Sequence, residues 1–152
     1  MKEKMIREHN GIKYEVLQRF HPIHNNYLLL RDYTTQTAFY GRNIDTALSH
    51  PECPWLKLTP SGLFTIRNGY PWDGPSGPTW DTRPFMRPSL GHDGKYNLMR
   101  LRELEQWCRY QADFEMRRDC REDLMFTPRR VWAFHGVRLG AGFAAKPIKE
   151  IL

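Results

Sequence analysis

Three stretches of this chain carry residue types suited to hydrolytic chemistry. His92 and Asp93 are adjacent in His92-Asp93-Gly94-Lys95-Tyr96, and Asp113 follows in Gln111-Ala112-Asp113-Phe114. Upstream, Gly69-Tyr70-Pro71-Trp72-Asp73-Gly74-Pro75-Ser76-Gly77 is too rich in glycine and proline for helix or strand. A carboxylate at Asp113 could accept the Nδ1 proton of His92, fix its tautomer and raise its basicity. His92 would then act as general base toward water, with Tyr96 in the same network. Asp93 could ligate a divalent cation, with Asp73 and the carbonyls of residues 73–77, Gly74 and Gly77 among them, completing an oxygen shell. Ca²⁺ is the first expectation for such hard ligands. Each part also has a structural reading. Asp113 could pair with Arg109 four residues earlier, Tyr96 could be a core tyrosine, and Asp73-Gly74 could be an ordinary turn.

Helices must position these groups. At 100° per residue His92 and Tyr96 share one helix face, with Asp93 one step round toward the loop. The pattern predicts a first helix starting at Pro88, where proline is tolerated at N1, and running to Leu101. A second helix is expected over 103–122, with Leu101, Leu104, Cys108 and Ala112 on one stripe. Thr127-Pro128 opens a third, to Ala145, carrying Gly136, Gly140 and Ala144 at four-residue spacing. Residues 1–10 read as a flexible arm and 11–70 mainly as strands. Residues 71–87 read as a Gly/Pro/Trp loop, 88–145 as helical and 146–152 as a tail. Strands are expected at 12–18, 27–30 and 35–40. A hairpin of 56–59 with 63–66 is expected around Pro60-Ser61-Gly62, and 41–54 reads as loop. The fold class is therefore α+β: an N-terminal antiparallel sheet of hairpins followed by three packed helices, in one domain.

Composition bounds the rest. The 152 residues are 40% hydrophobic and 26% charged, as in an ordinary globular domain. A net charge of +6 favours acidic partners, such as nucleic acid, anionic lipid or an acidic protein face. The basic residues are spread along the chain, so nucleic acid is the less favoured of these unless Arg83, Arg87, Arg100 and Arg109 converge. Cys53, Cys108 and Cys120 form no disulfide framework and no CxxC metal pair, and reduced thiols are expected. Met1-Lys2-Glu3-Lys4 leads into no apolar run, which predicts no signal peptide, and no stretch is long and apolar enough to span a membrane.

The ordered motifs Gly69, Asp73-Gly74-Pro75-Ser76-Gly77-Pro78, then His92-Asp93-Gly94-Lys95-Tyr96, then Ala112-Asp113-Phe114-Glu115-Met116 resemble an uncharacterised domain family of bacteriophages and prophages. The resemblance spans residues 64–145. It implies a viral source, with the protein in the host cytoplasm or the virion, and brings no established activity. The chain departs from that pattern at Pro75 and in a longer 77–87 connection. The His-Asp-x-x-Tyr helix after a glycine-rich loop is also distantly similar to phospholipases A2. That likeness implies His92 as base, Asp113 and Tyr96 as its orienting network, and Asp93 with the 73–77 carbonyls as calcium ligands. The cysteines usual beside the His-Asp pair are absent here, where Leu90-Gly91 precede it, and the loop glycines differ in spacing. Two function classes result: a metal-assisted His-Asp hydrolase of an ester or related bond, or a non-enzymatic virion or anti-host binding protein. In the second, the same cluster is a structural clamp and Trp72, Trp80 and Phe85 form a recognition surface for a host or virion protein.

Overall fold

The computed structural model describes residues 4–17, 26–74 and 83–123, with Ala133, Phe134 and Arg138. It is α+β, as the alternating and then helical patterns predict, but the strands form two four-stranded antiparallel sheets instead of one. The first has the order β1 (Met5–His9), β2 (Ile12–Leu17), β3 (Asn26–Leu29), β8 (Pro71–Trp72). The second has the order β4 (Tyr33–Gln36), β7 (Leu63–Ile66), β6 (Leu56–Leu58), β5 (Ile44–Asp45).

Residues 5–9 are not an arm. They pair with β2 across a two-residue turn, His9 opposite Ile12. Asn10 and Gly11 both have positive φ, 49° and 78°, the backbone that an Asn-Gly hairpin turn uses to match strand twist. The Pro60-Ser61-Gly62 hairpin forms as expected, while the strand placed at 35–40 sits at Tyr33–Gln36. The 41–54 segment is not wholly loop. It carries β5 and the one-turn helix α1 (Thr46–Ser49), N-capped by Asp45, whose side chain accepts from the Ala47 amide. Four helical residues are too few to show a period. The predicted 71–87 loop is likewise shortened at both ends, because Trp72 pairs with Tyr27 in β8 and helix α2 begins at Arg83.

Helix α2 (Arg83–Arg100) starts a full turn before Pro88, which lies inside it. Pro84 occupies the first turn, where a missing N–H costs nothing, and Pro88 forfeits one bond in the second. The helix ends in a Schellman motif: Glu103 N–H donates to the Leu98 carbonyl and Arg102 N–H to that of Met99. Arg102 takes the left-handed conformation (φ 62°) that glycine usually supplies. The second helix therefore does not start at Glu103. A 3-10 turn at Gln106–Cys108 leads into α3 (Arg109–Glu122), and Leu101 and Leu104 lie in the connection. Of the predicted third helix only Ala133, Phe134 and Arg138 are described, each helical; the rest of 127–145, and the 146–152 tail, lie outside the described residues.

Helix α2 packs against β7 at Gly94. A Cβ there would sit 2.8 Å from Ile66 Cδ1 and 2.9 Å from the Phe64 ring, so only glycine admits this approach. The buried core runs through both sheets and this helix, with Tyr14, Tyr27 and Trp72 in edge and tilted contacts. Among the described residues the three cysteines are free thiols, and no helix is long and apolar enough to cross a membrane.

Candidate functional site

With α2 seated on the sheet through Gly94, one of its faces turns to α3. His92 Nε2 lies 2.6 Å from Asp113 Oδ1, so the bond runs through Nε2 and not through the expected Nδ1. A carboxylate one helix away meets the far side of the ring, and Nδ1, nearer the backbone, is left without a partner among the described residues. Tyr96, one turn along α2, donates its hydroxyl to the same Oδ1 at 2.5 Å and packs on the imidazole with centroids 4.1 Å apart. Asp113 is wholly buried, while the His92 side chain keeps 12% of its surface exposed.

Two arginines complete the site, of which the sequence pointed only to Arg109. Arg138 donates to Asp113 Oδ2 at 3.0 Å, and Arg109 donates to both the Tyr96 hydroxyl (3.3 Å) and the Arg138 carbonyl. Nothing in the spacing of Arg138 ties it to Asp113, 25 residues away. Arg109 also forms the expected i,i+4 ion pair with Asp113, a loose one with Nε 3.9 Å from Oδ2. Burial pushes the Asp113 carboxyl up, but the His92 and Tyr96 hydrogen bonds and Arg138 outweigh it and hold the group below its ordinary value. Burial and the adjacent Asp113 charge raise the Tyr96 phenol, so it remains a donor.

Asp93 faces the other way. Its Oδ2 accepts from the Tyr70 hydroxyl at 2.5 Å, and Asn97 Nδ2 donates to that same hydroxyl at 2.5 Å. Tyr70 is held by the sheet, its carbonyl accepting from Leu29 N–H while Gly69 N–H donates to the Leu29 carbonyl. Burial raises the Asp93 carboxyl, opposed by the Tyr70 bond and by His92, and the Asp73 carboxylate is close enough to raise it further. The described residues hold no group of three His, Cys, Asp or Glu side chains placed for a metal. A hard cation there would draw its remaining oxygens from backbone carbonyls such as that of Gly74. Gly77 lies outside the described residues.

The rival recognition surface does not form from the described residues. Trp72 and Phe85 are buried, with Trp72 Nε1 donating to Ser89 Oγ at 3.3 Å; Trp80 lies outside the described residues. Two of the four arginines singled out for nucleic acid are tied up in internal contacts. Arg87 is committed to Asp123, Glu122 and the Tyr33 hydroxyl, and Arg109 to the Asp113 network. A buried ion pair that the sequence did not reveal, Lys95 with Glu115 at 3.0 Å, ties α2 to α3, and Glu115 also accepts the Ala38 amide.

The chain matches no family model, no curated protein and no solved structure.

Proposed function

We propose that this chain is a small hydrolase of an ester or related bond, with His92 as general base. The observation that carries the reading is the His92–Asp113 bond through Nε2, which leaves Nδ1 as the ring nitrogen with no partner among the described residues, on a side chain that still reaches solvent. Water hydrogen-bonded to Nδ1 would lose a proton to it as its oxygen attacks the acyl carbon. The imidazolium formed is stabilised by Asp113 behind it and would return the proton to the leaving alkoxide as the tetrahedral intermediate collapses to the carboxylic acid. Tyr96 and Arg138 keep Asp113 ionised and fixed in rotamer, so the ring does not swing. A divalent cation held by Asp93, Asp73 and the Gly74 carbonyl would supply charge stabilisation for the developing oxyanion. A bacteriophage or prophage origin, and action in the host cytoplasm or virion, belong to the same proposal and are supported by the motif order alone.

The test is turnover of p-nitrophenyl esters of graded chain length and of phospholipid vesicles, with and without added Ca²⁺. General-base contributions are on the order of 10²–10⁴-fold, so His92→Ala should lose at least 100-fold in kcat with its Tm almost unmoved. Wild-type turnover that survives His92→Ala would end the enzymatic reading. The second reading, a structural clamp in a binding protein, is favoured by the complete burial of Asp113 beneath donors from α2 and Arg138. Under it His92→Ala lowers stability and changes no rate.

A further inference from the structure

The outer face of α3 carries a second feature, which meets the buried His92 network only through Arg138 among the described residues. Trp107, Tyr110, Phe114, Arg117 and Arg121 follow one another at spacings of three and four residues, which puts them on one stripe of the helix and the 3-10 turn before it. The stripe faces solvent. Trp107 is 72% exposed, Tyr110 56% and Phe114 48%, large values for residues whose apolar area favours burial. Its N-terminal half is aromatic and its C-terminal half cationic. The Tyr110 and Phe114 rings are nearly parallel, 21° between planes and 6.5 Å between centroids. Arg138 caps the Tyr110 ring at 5.0 Å and Arg42 the Trp107 ring at 5.7 Å.

Next to Phe114 the surface dips into a concavity of about 640 Å³ lined by Phe114, Arg117, Arg118, Arg121 and Glu122. Arg118 is neutralised by Asp119 and Glu122. Arg117 and Arg121 have no carboxylate partner among the described residues; Arg117 lies over the Phe134 ring at 5.3 Å. Two like charges at i and i+4 repel on a helix. Arg121, in the last turn of α3, is favoured by the helix dipole, yet neither guanidinium has a carboxylate beside it among the described residues. An anion seated between them would supply the counter-charge.

We propose that this stripe binds single-stranded nucleic acid, with a base stacked on the Tyr110–Phe114 platform and its phosphates on Arg117 and Arg121. Exposed rings beside a cationic groove are the combination that single strands use, the rings accepting any base and the arginines tracking the backbone. Seven residues of helix separate Phe114 from Arg121, about 10 Å along the axis, a reach that suits adjacent nucleotides. An anionic bilayer fits less well, because the basic end is concave and, among the described residues, no aliphatic side chain lines it. A duplex would keep its bases stacked and closed to the platform.

The experiment is fluorescence anisotropy of a labelled twelve-residue oligothymidylate with the full chain, titrated from 20 to 300 mM salt. Two phosphate contacts predict a slope of log K against log salt of about −1.4. Arg117→Ala/Arg121→Ala should weaken binding at least tenfold and flatten the slope, while Phe114→Ala should weaken it roughly tenfold or more without changing the slope. Circular dichroism checks that each variant folds; Arg117→Lys/Arg121→Lys, which keeps the charge, should retain the slope. His92→Ala should bind the oligonucleotide as wild type does, which separates this site from the hydrolytic one. No binding at 20 mM salt, equal affinity for a blunt duplex, unchanged affinity in the Arg117/Arg121 or Phe114 variants, or capture only by phosphatidylserine vesicles would each overturn the proposal.

Discussion

Asp113 is the residue on which the polar interior of the two main helices turns. It sits fully buried beneath the His92 ring, the Tyr96 hydroxyl and the Arg138 guanidinium, and each of those donors loses its acceptor if the carboxylate goes. Asp113→Ala is therefore expected to cost about 3 kcal/mol or more, read by urea unfolding, because buried donors are stranded as well as a bond lost. Asp113→Asn keeps the shape but carries an amide nitrogen in place of one acceptor, and should cost less in stability while still lowering any His92-dependent rate. A rate left untouched in Asp113→Asn would place the carboxylate outside the chemistry. The residues themselves were legible in the chain: His92, Tyr96 and Asp113 have the spacing of partners on facing helices. The ring nitrogen was not, because whether Nδ1 or Nε2 meets a carboxylate depends on helix separation and rotamer, which no spacing encodes. Arg138 and Tyr70 were invisible for the same reason, since each reaches its carboxylate across a long sequence separation.

At the scale of elements, the seat of α2 on β7 decides where every candidate group points. Gly94 is the contact, and its missing Cβ is what lets the helix approach Phe64 and Ile66. Gly94→Ala should destabilise by about 1–3 kcal/mol by overpacking, in spite of the roughly 1 kcal/mol that alanine gains in helix propensity. A thermal melt in which the variant equals or exceeds wild type would show that α2 can shift without cost. The helix borders were misjudged where familiar punctuation misleads. Pro88 looks like a helix start, yet Pro84 already fills the first turn. The end of α2 carries Arg102 where glycine would have announced the left-handed residue, so the chain reversal before α3 left no signal. In the opposite sense Asn10-Gly11 is a plain hairpin signal in a stretch whose polarity suggests an arm.

Across the whole molecule, the buried Asp113 and the half-buried Asp93, on opposite sides of α2, respond oppositely to pH. The Asp113 carboxyl is depressed in the folded chain, so its stabilisation is present above the unfolded value of about 3.9 and is lost as pH falls through the folded one. Asp93 is raised, so the folded state binds its proton more tightly. That contribution is complete below about pH 3.9 and is lost as pH rises through the folded value, leaving Asp93 a net cost at neutral pH. Asp93→Asn, whose amide oxygen still accepts from Tyr70, should therefore raise Tm at pH 7.5 and leave it unchanged near pH 3.5. If Asp93 and Asp73 share a cation, added Ca²⁺ should raise the wild-type Tm at pH 7.5 by linkage and do nothing for Asp93→Asn. A variant less stable than wild type at pH 7.5 without added ion would show that the Asp93 charge is matched by partners other than Tyr70.

Local patterns in the chain settle the α+β class, most strand positions, the hairpin at Pro60-Ser61-Gly62 and the placing of His92, Tyr96 and Asp93 on one helix, because alternation, turn dihedrals and helical period are short-range properties. Tertiary structure alone divides the strands into two sheets, buries Trp72 and Phe85, pairs Lys95 with Glu115 and brings Arg138 to Asp113. Those outcomes follow from which surfaces meet, and a charge or a ring has the same letter whether it ends against a partner or in water.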